Sequence, residues 1–325
     1  EDVEVEVGED PVDANLETRR ALSGYQDAMT YILQFADEET LPGADEGLLR
    51  SLHFKMMKHD LSKHPGRWRP GDVFVRREST GETVYEAPPS ADVPRLIRHL
   101  LHDLEDDPAP VIVRAAMAHL NLVMIHPFSD GNGRMGRALQ TLVLARDKIV
   151  APIFSSIEEY LGRNTAAYYR TLAHVGQGSW HPENDARPWV RFCLTAHHRQ
   201  AGTLLRRIEV TERLWVACME LVEQYDLPER SINAIMDAAQ GLRIRRPGYI
   251  AVVRLAGGDE IPPLTATRDL KALVDAGILV PSGERRARMY VGSDRIRGIW
   301  QGVTASRRPR AEEDPFDLTP DQLRF

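Results

Sequence analysis

The sequence is poor in cysteine and contains no long apolar run. Its 325 residues include 2 cysteines, Cys193 and Cys218, and neither lies in a cluster with the spacing of a metal site. We expect both to pack within helices of a cytoplasmic protein, since buried free thiols suit a reducing compartment. No stretch of about 18 apolar residues exists and no signal peptide opens the sequence, so we expect no membrane partner.

The composition that is present is typical of a globular protein, with 42% hydrophobic and 27% charged residues. The length is about twice that of a typical domain, which predicts two or more folded units. The net charge of −7 is unevenly distributed: residues 241–310 contain 14 Lys/Arg and 6 Asp/Glu, a net +8, which leaves −15 elsewhere. A basic module on an acidic body indicates a nucleic-acid or acidic-protein partner for that module.

The most informative stretch is residues 126–137, HPFSDGNGRMGR. An apolar, helix-length segment precedes it at 109–124, and a second helical run follows at 138–148. Because Gly, Asp and Asn favour turns, the middle of this stretch predicts a loop that leads into the start of the second helix. The free N–H groups of a helix start bind anions, and Arg134 and Arg137 share one face there. The stretch therefore predicts a phosphate site.

This stretch resembles the signature of the Fic family, HPFx[D/E]GNGRxxR, at every fixed position. The flanking sequences WRPGDVFV, YYRTL and ARPWVRF are also similar to the Fic domain, so the resemblance spans about residues 12–200. It implies an enzyme that transfers AMP from ATP, with Mg²⁺, to a Ser, Thr or Tyr hydroxyl of a target protein.

The resemblance also implies roles for individual residues. His126, whose side chain titrates near neutral pH, takes the proton of the attacking hydroxyl. Asp130 is a hard oxygen ligand for Mg²⁺ and also contacts the nucleotide. The other phosphate contacts come from backbone glycines, an amide and two guanidinium groups, which are Gly131, Asn132, Gly133, Arg134 and Arg137. We expect Asn132 to orient the α-phosphate, Arg134 to hold the β-phosphate and Arg137 the γ-phosphate.

Tyr168 and Tyr169 match the paired tyrosines of the family's adenosine pocket. Adjacent helix positions point about 100° apart, so one of the two fits the protein core equally well. Many relatives carry an Asn one or two turns later, where this sequence has Gly176 and Gln177. Recognition of the base is therefore less defined by the sequence than recognition of the phosphates.

The predicted fold class is mainly α, a Fic-type helical bundle with a β-hairpin flap, followed by a small winged-helix (α+β) domain. The predicted parts are an acidic tail at 1–11, the Fic domain at 12–200, a helical linker at 201–230, a winged helix-turn-helix-like domain at 231–300 and a disordered tail at 301–325. Helices are expected at about 13–36, 45–57, 92–104, 189–200, 202–225, 232–239 and 249–255.

Two further elements suggest partners. The flap hairpin, at about residues 73–87, would pair its main chain with a target peptide by β-augmentation. Residues 265–280, TATRDLKALVDAGILV, resemble a recognition helix and its following turn, and the Arg-rich turn after them resembles a wing. This basic module would take DNA or a protein as its partner. A homodimer is a further expectation, since Fic dimers are common.

Many Fic enzymes are restrained by a glutamate in an [S/T]xxxE[G/N] helix, which pairs with the second motif arginine, here Arg137. That pattern is absent from the sequence: residues 155–159 have the spacing, but Tyr160 follows them and they lie after the motif. The inhibitory helix is then removed from the N-terminus, supplied by a partner chain, or missing. The lack of an initial Met favours removal.

Two rival functions remain open. The same site with a regulatory glutamate removes AMP from modified proteins, and a Fic domain coupled to a basic module describes a DNA-binding regulator. Phosphate transfer is disfavoured, because the related toxins that perform it carry Lys where this sequence has Gly133 and Arg134.

Overall fold

The computed structural model describes residues 11–37, 44–76, 81–148, 156–257, 260–283, 288–306 and 314–317. The chain divides into two compact units, unit 1 (1–201 and 313–325) and unit 2 (202–312). The predicted acidic tail and most of the predicted disordered tail lie outside the described residues. Within the described ranges, every helix is too short or too polar to cross a membrane.

Unit 1 is built mainly from helices. These are α1 (Pro11–Asp37), α2 (Glu46–Met57), α3 (Val93–Asp106), α4 (Val111–Ile125), α5 (Asn132–Arg146), α6 (Glu158–Arg163), α7 (Thr165–Gly176) and the first part of α8 (Arg187–Gln224). Capping sets the start of α2, where the Asp45 carboxylate accepts the N–H of Leu48 at 2.7 Å. The helices bury one apolar face each around the central pair α4 and α5.

The close approach of α4 and α5 depends on a glycine. A Cβ at Gly136 would lie 2.6 Å from Cδ2 of His119 and 2.8 Å from Cγ2 of Val123. Real Cβ atoms do not approach other atoms that closely, so only glycine allows the two helices to pack at this separation. The ends of α4 and α5 that flank the motif loop (126–131) are therefore held firmly together.

A β-hairpin, the flap, lies beside the end of α4. Its strands β1 (Phe74–Arg76) and β2 (Thr83–Glu86) are antiparallel, and Phe74 pairs with Glu86. Two hydrogen bonds fasten β2: the Glu86 N–H donates to Gly178 O at 2.9 Å, and the Tyr85 hydroxyl donates to Met124 O at 2.8 Å. The hairpin predicted from the sequence is thus present and is tied to α4 two residues before His126.

Unit 2 contains the rest of α8, then α9 (Ile232–Ala239), α10 (Arg246–Leu255), α11 (Pro263–Asp275), β3 (Leu279–Ser282), β4 (Met289–Gly292) and α12 (Asp294–Ala305). The strands form an antiparallel hairpin in which Leu279 pairs with Gly292. Ile244, between α9 and α10, forms an isolated antiparallel bridge with Tyr290 of β4. The order is helix, single-residue bridge, two helices and a hairpin, around a core of its own.

Three predicted boundaries were wrong. The helices expected at 189–200 and 202–225 are one helix, α8, because a single Gly202 costs about 1 kcal/mol, too little to end a long helix. The expected linker contributes Leu214 and Cys218 to the core of unit 2, so it is part of the folded unit. The expected disordered tail begins as helix, since α12 continues to Ala305 beyond its buried Ile296.

Candidate active site

The motif loop joins α4 to α5 through two residues with left-handed backbone conformation. His126 ends α4 with φ 51°, and Gly131 precedes α5 with φ 78°. A Cβ at Gly131 would lie 3.2 Å from Met57 Sδ, so the position is suited to glycine on both counts. A Cβ at Gly133 would meet only Nη1 of Arg137, at 3.5 Å. The first N–H groups of α5 have no partner within the helix, which favours a bound anion.

His126 has one committed and one available ring nitrogen. Nδ1 lies 3.1 Å from Val123 O, and because a carbonyl only accepts, Nδ1 carries the proton and Nε2 the lone pair. The pKa of His126 is lowered to about 4, mainly by burial. The hydrogen bond to Val123 acts in the opposite direction, and the Arg69 charge acts in the same direction as burial. The imidazole is therefore neutral at pH 7 and can accept a proton at Nε2.

Asp130 is the only carboxylate of the motif loop. Its side chain is 44% exposed, and Oδ1 accepts the N–H of Gly131 and lies 3.8 Å from Nη2 of Arg134. Protein-bound Mg²⁺ commonly takes one or two carboxylates and completes its shell with substrate phosphates and water, so a single Asp130 is adequate. The described residues contain no cluster of three or more metal-ligating side chains that would hold an ion alone.

Asn132 fixes the loop through both ends of its amide. Oδ1 accepts the N–H of Phe128 at 3.0 Å, and Nδ2 donates to Phe128 O at 2.9 Å. Phe128 is fully buried, so this pair of bonds anchors the loop in the core. The second N–H of Nδ2 is left to donate to a ligand, so the expected orientation of the α-phosphate by Asn132 stays a prediction.

The two motif arginines differ in their surroundings. Arg134 lies beside Asp130, whereas Nε of Arg137 donates to Oε1 of Glu158 at 2.6 Å. The hydroxyl of Tyr25 donates to the same Glu158 oxygen. Burial disfavours the charge of Arg137, but the Glu158 carboxylate outweighs burial and raises the pKa of the guanidinium. Arg137, the arginine expected to hold the γ-phosphate, thus has a carboxylate partner within its own chain.

Glu158 is a functional candidate that sequence patterns do not reveal. Glu158 begins α6, after the motif, and the [S/T]xxxE[G/N] pattern does not cover it. The sequence contains a near-match to that pattern at 155–159, but Tyr160 stands in place of its Gly or Asn and the stretch lies after the motif. Contact with Arg137 depends on how α6 packs against α5, and local sequence does not encode that.

The paired tyrosines occupy different environments. Tyr168 is 5% exposed, and its hydroxyl lies 3.2 Å from Nε2 of the buried His119. Tyr169 is 63% exposed, with its ring centroid 5.1 Å from that of Tyr168. Tyr168 therefore belongs to the core, and Tyr169 is the member of the pair whose ring is open to a ligand.

His53 holds the motif loop and was missed by sequence reasoning. Its Nδ1 accepts the N–H of Gly66 at 2.9 Å, so Nε2 carries the proton that Asp130 O accepts at 3.0 Å. The ring stacks on Phe128 with centroids 3.7 Å apart. Burial lowers the pKa of His53 to about 4, which keeps this arrangement neutral. Its position within α2 carries no motif that predicts such a role.

Residues 44–144 match the family model described as the Fic/DOC family. The chain is 31% identical over 151 residues to "Protein adenylyltransferase fic-1" of Caenorhabditis elegans, which covers 46% of this chain and 26% of the relative. It is 27% identical over 179 residues to "Protein adenylyltransferase Fic" of Nematostella vectensis, covering 54% and 37%. The chain thus spans between about a quarter and two fifths of the length of these two relatives.

A solved structure is similar over most of the chain. The crystal structure of a Fic family protein from Desulfovibrio desulfuricans is 25% identical, with a TM-score of 0.51, and the match covers 89% of this chain and 78% of that one. The predicted family resemblance is confirmed by these matches for the domain that carries the motif.

Proposed function

Because residues 44–144 form a Fic/DOC family domain, we propose that this protein is an adenylyltransferase that transfers AMP from Mg-ATP to a Ser, Thr or Tyr hydroxyl of a target protein. One observation carries the proposal. The neutral His126, whose Nε2 is available to accept a proton, lies at the start of the motif loop. That loop contains Gly131 and ends at the N-terminus of α5, the helix that carries the guanidinium groups of Arg134 and Arg137. A proton acceptor next to an anion site is what hydroxyl attack on a phosphate requires.

In the proposed reaction the target hydroxyl oxygen attacks the α-phosphorus of ATP. The bond between the α-phosphorus and the oxygen that bridges to the β-phosphate breaks, and pyrophosphate leaves. The hydroxyl proton moves to Nε2 of His126, while Nδ1 keeps the ring oriented through Val123 O. Arg134 and Arg137 stabilise the charge of the leaving pyrophosphate. Asp130 would hold Mg²⁺, and the ion would neutralise charge on the α- and β-phosphates.

The proposed docking site for the target is the flap, about residues 73–87. A short exposed hairpin can add a peptide strand through main-chain hydrogen bonds. Its anchor from Tyr85 to Met124 O would place such a peptide near His126. A surface cavity of about 230 Å³ beside β2, lined in part by Pro88, Arg95 and Trp180, offers room for target side chains.

The test uses ATP labelled at one phosphate at a time. The protein is incubated with Mg²⁺ and either α-labelled or γ-labelled ATP, with a His126→Ala variant as the matched control. Transfer of the α-label alone, lost in the variant, supports AMP transfer with His126 as base. Transfer of the γ-label would mean phosphate transfer and would overturn the proposal, as would α-labelling that survives in the variant.

A second candidate function belongs to unit 2. We further propose that unit 2 is a winged helix with α11 as its recognition helix, and the order of its elements and the bridge from Ile244 to β4 support this proposal. Unit 2 also presents six exposed arginines that form neither an ion pair nor a side-chain hydrogen bond with any described residue: Arg243, Arg245, Arg246, Arg254, Arg268 and Arg288. Exposed positive charge on such a module favours binding of duplex DNA.

Fluorescence anisotropy with a labelled duplex at several salt concentrations tests this candidate. We expect Arg268→Ala to weaken binding and to reduce the salt slope by about 1, since it removes one phosphate contact. Arg170→Ala, which removes an exposed arginine from unit 1, should leave the slope unchanged. Binding that does not depend on salt, or equal effects of both variants, would contradict a DNA-binding role.

A further inference from the structure

One buried arginine outside the motif bonds both the candidate base and the flap. Nε of Arg69 donates to His126 O at 2.8 Å, and the Arg69 N–H donates to Pro127 O at 2.9 Å. On the other side, Nη1 donates to Gly71 O at 2.7 Å and Nη2 donates to Pro88 O. Gly71 precedes β1 and Pro88 follows β2, so a single guanidinium contacts both ends of the hairpin and the motif loop.

Burial disfavours the charged form of Arg69, and the nearby Asp72 carboxylate only partly offsets this effect. The Arg69 side chain is 1% exposed, and the nearest carboxylate, Asp72, lies 3.6 Å away and is itself 56% exposed. Burial lowers the pKa of the guanidinium, and Asp72 acts in the opposite direction. Buried charges are costly without a close partner, so hydrogen bonds to backbone carbonyls must hold this cation in place. Such a fixed fork defines the relative positions of its acceptors.

The conformation of His126 makes the contact consequential. Its backbone has φ 51°, which is uncommon for a residue with a side chain. The Arg69 bonds to the carbonyls of His126 and of Pro127 hold the two peptide units that follow this residue. The direction of the imidazole depends on that backbone, because the Nδ1 bond to Val123 O leaves the ring little freedom.

We propose that Arg69 is a positioning residue, which sets the geometry between His126 and the flap by binding both through one guanidinium. It touches neither nucleotide nor target. Its effect is on the alignment of the base with a hydroxyl presented along the hairpin. The kinetic part of this inference rests on the proposed adenylyl transfer, whereas the structural part does not.

Two variants test the role, with a control at a comparable arginine. Arg69→Met keeps the aliphatic bulk and removes all three side-chain bonds. Arg69→Lys keeps the charge but supplies a single ammonium, which cannot bridge the loop and both hairpin ends. Arg114→Met is the control. Arg114 is part-buried and its Nη1 also donates to a backbone carbonyl, Leu104 O, at 2.9 Å. Neither Arg114 nor Leu104 belongs to the motif loop. Circular dichroism shows whether each variant is folded. If Arg69→Met does not fold, Arg69→Lys is used in its place in the measurements below.

The first measurement is amide hydrogen exchange of the full chain without nucleotide. We expect Arg69→Met to accelerate exchange at least tenfold in both the motif loop (126–131) and the flap strand (83–87). Arg114→Met should leave both segments within twofold of wild type. Acceleration in only one of the segments, or in neither, would overturn the coupling, and this result does not depend on the reaction.

The second measurement is transfer of α-label at varied ATP concentration. We expect Arg69→Met to reduce kcat at least tenfold and to leave the KM for ATP within threefold, because the phosphate-binding groups lie on α5. Arg69→Lys should retain an intermediate kcat. A variant with wild-type kcat, or with a raised KM and unchanged kcat, would overturn the positioning role. If wild-type protein transfers no label, the proposed reaction fails, and the exchange result alone decides the role of Arg69.

Discussion

Each unit contains a tyrosine, a carboxylate and an arginine joined by hydrogen bonds. The triad of unit 1 is Tyr25, Glu158 and Arg137, and the triad of unit 2 is Tyr249, Asp269 and Arg230. In both, the tyrosine hydroxyl donates to the carboxylate that the arginine also contacts. The two differ in which member is buried: the Asp269 side chain is 5% exposed and that of Glu158 is 34% exposed.

This difference in burial indicates different roles. Asp269 accepts two parallel bonds from Arg230, each 2.8 Å long, and a third from the Tyr249 hydroxyl. Glu158 accepts one bond from Arg137 at the start of α5, where an anionic ligand would bind. The same hydrogen-bonding chemistry thus stabilises the fold in unit 2, whereas in unit 1 it occupies Arg137, the arginine expected to bind a nucleotide phosphate.

The two units also differ in their histidine content and in their net charge. All 11 histidines lie in unit 1 and none in unit 2. From the sequence, unit 1 carries 23 Lys/Arg against 34 Asp/Glu, a net −11, and unit 2 carries 18 against 14, a net +4. The two parts should therefore respond differently to pH and to polyanions.

The largest expected effect is a loss of stability of unit 1 between pH 7 and pH 5. Burial lowers the pKa of four of its histidines, to about 4 for His53, His126 and His197 and to about 3 for His119. The unfolded chain binds protons near pH 6.5 and the folded one does not, so this stability is present above pH 6.5 and is lost as pH falls towards 4. The loss is roughly 1–2 kcal/mol for each histidine.

Amide hydrogen exchange followed at pH 7, 6 and 5, corrected for the intrinsic pH dependence of exchange, measures the opening free energy of each unit. We expect the decrease in unit 1, with unit 2 as the internal control because it has no histidine. An equal decrease in both units would contradict the assignment to the histidines.

The second expected effect is loss of stability of unit 2 in Asp269→Asn. The neutral amide cannot satisfy both Arg230 and Tyr249 as the carboxylate does, and Arg230 loses its charge partner. We expect a loss of about 2 kcal/mol, below the full value for a buried pair because Arg230 is 40% exposed. Urea denaturation measures it. Asp275→Asn, at an exposed pair on the same helix, should have a near-zero effect, and a comparable loss there would refute the argument.

The third prediction concerns Glu158→Gln, which should raise affinity for Mg-ATP without much loss of stability. Removing the carboxylate charge frees Arg137 for phosphate, and we expect an affinity gain of about 3–10-fold, since ligand and carboxylate compete for one guanidinium. Calorimetric titration measures it. Glu159→Gln, at the next position of α6, is the control, because the Glu159 carboxylate pairs with Arg163 instead. Equal affinities of wild type and Glu158→Gln would mean that Glu158 does not compete with the nucleotide for Arg137.

The smallest expected effects come from the two tyrosines. Tyr249→Phe removes one hydrogen bond to the buried Asp269 and should cost unit 2 about 1 kcal/mol in urea denaturation. Tyr25→Phe removes the corresponding bond to Glu158, and we expect a smaller gain in nucleotide affinity than in Glu158→Gln. If Tyr25→Phe bound Mg-ATP more tightly than Glu158→Gln does, the tyrosine and not the Glu158 charge would be the group that restrains Arg137.

Local patterns predicted most helices, because apolar spacing and capping act within a few residues. The helix predicted at 232–239 has those bounds in the structure, and the helix predicted at 45–57 and the flap strands lie within one or two residues of expectation. The break between two expected helices at Gly202 was wrong, because tertiary packing of α8 outweighs one glycine. The roles assigned to His126, Asp130, Arg134 and Arg137 stay predictions, now with a described geometry.

What the sequence determined by itself was the identity of the motif, because a helix end, a turn and a helix start are set by adjacent residues. What only the tertiary structure decided was which distant groups meet that motif. The contacts of Glu158 with Arg137 and of Arg69 with His126 depend on packing between segments 21 and 57 residues apart along the chain. Such contacts follow from how helices bury their apolar faces together, and no short pattern in the sequence encodes them.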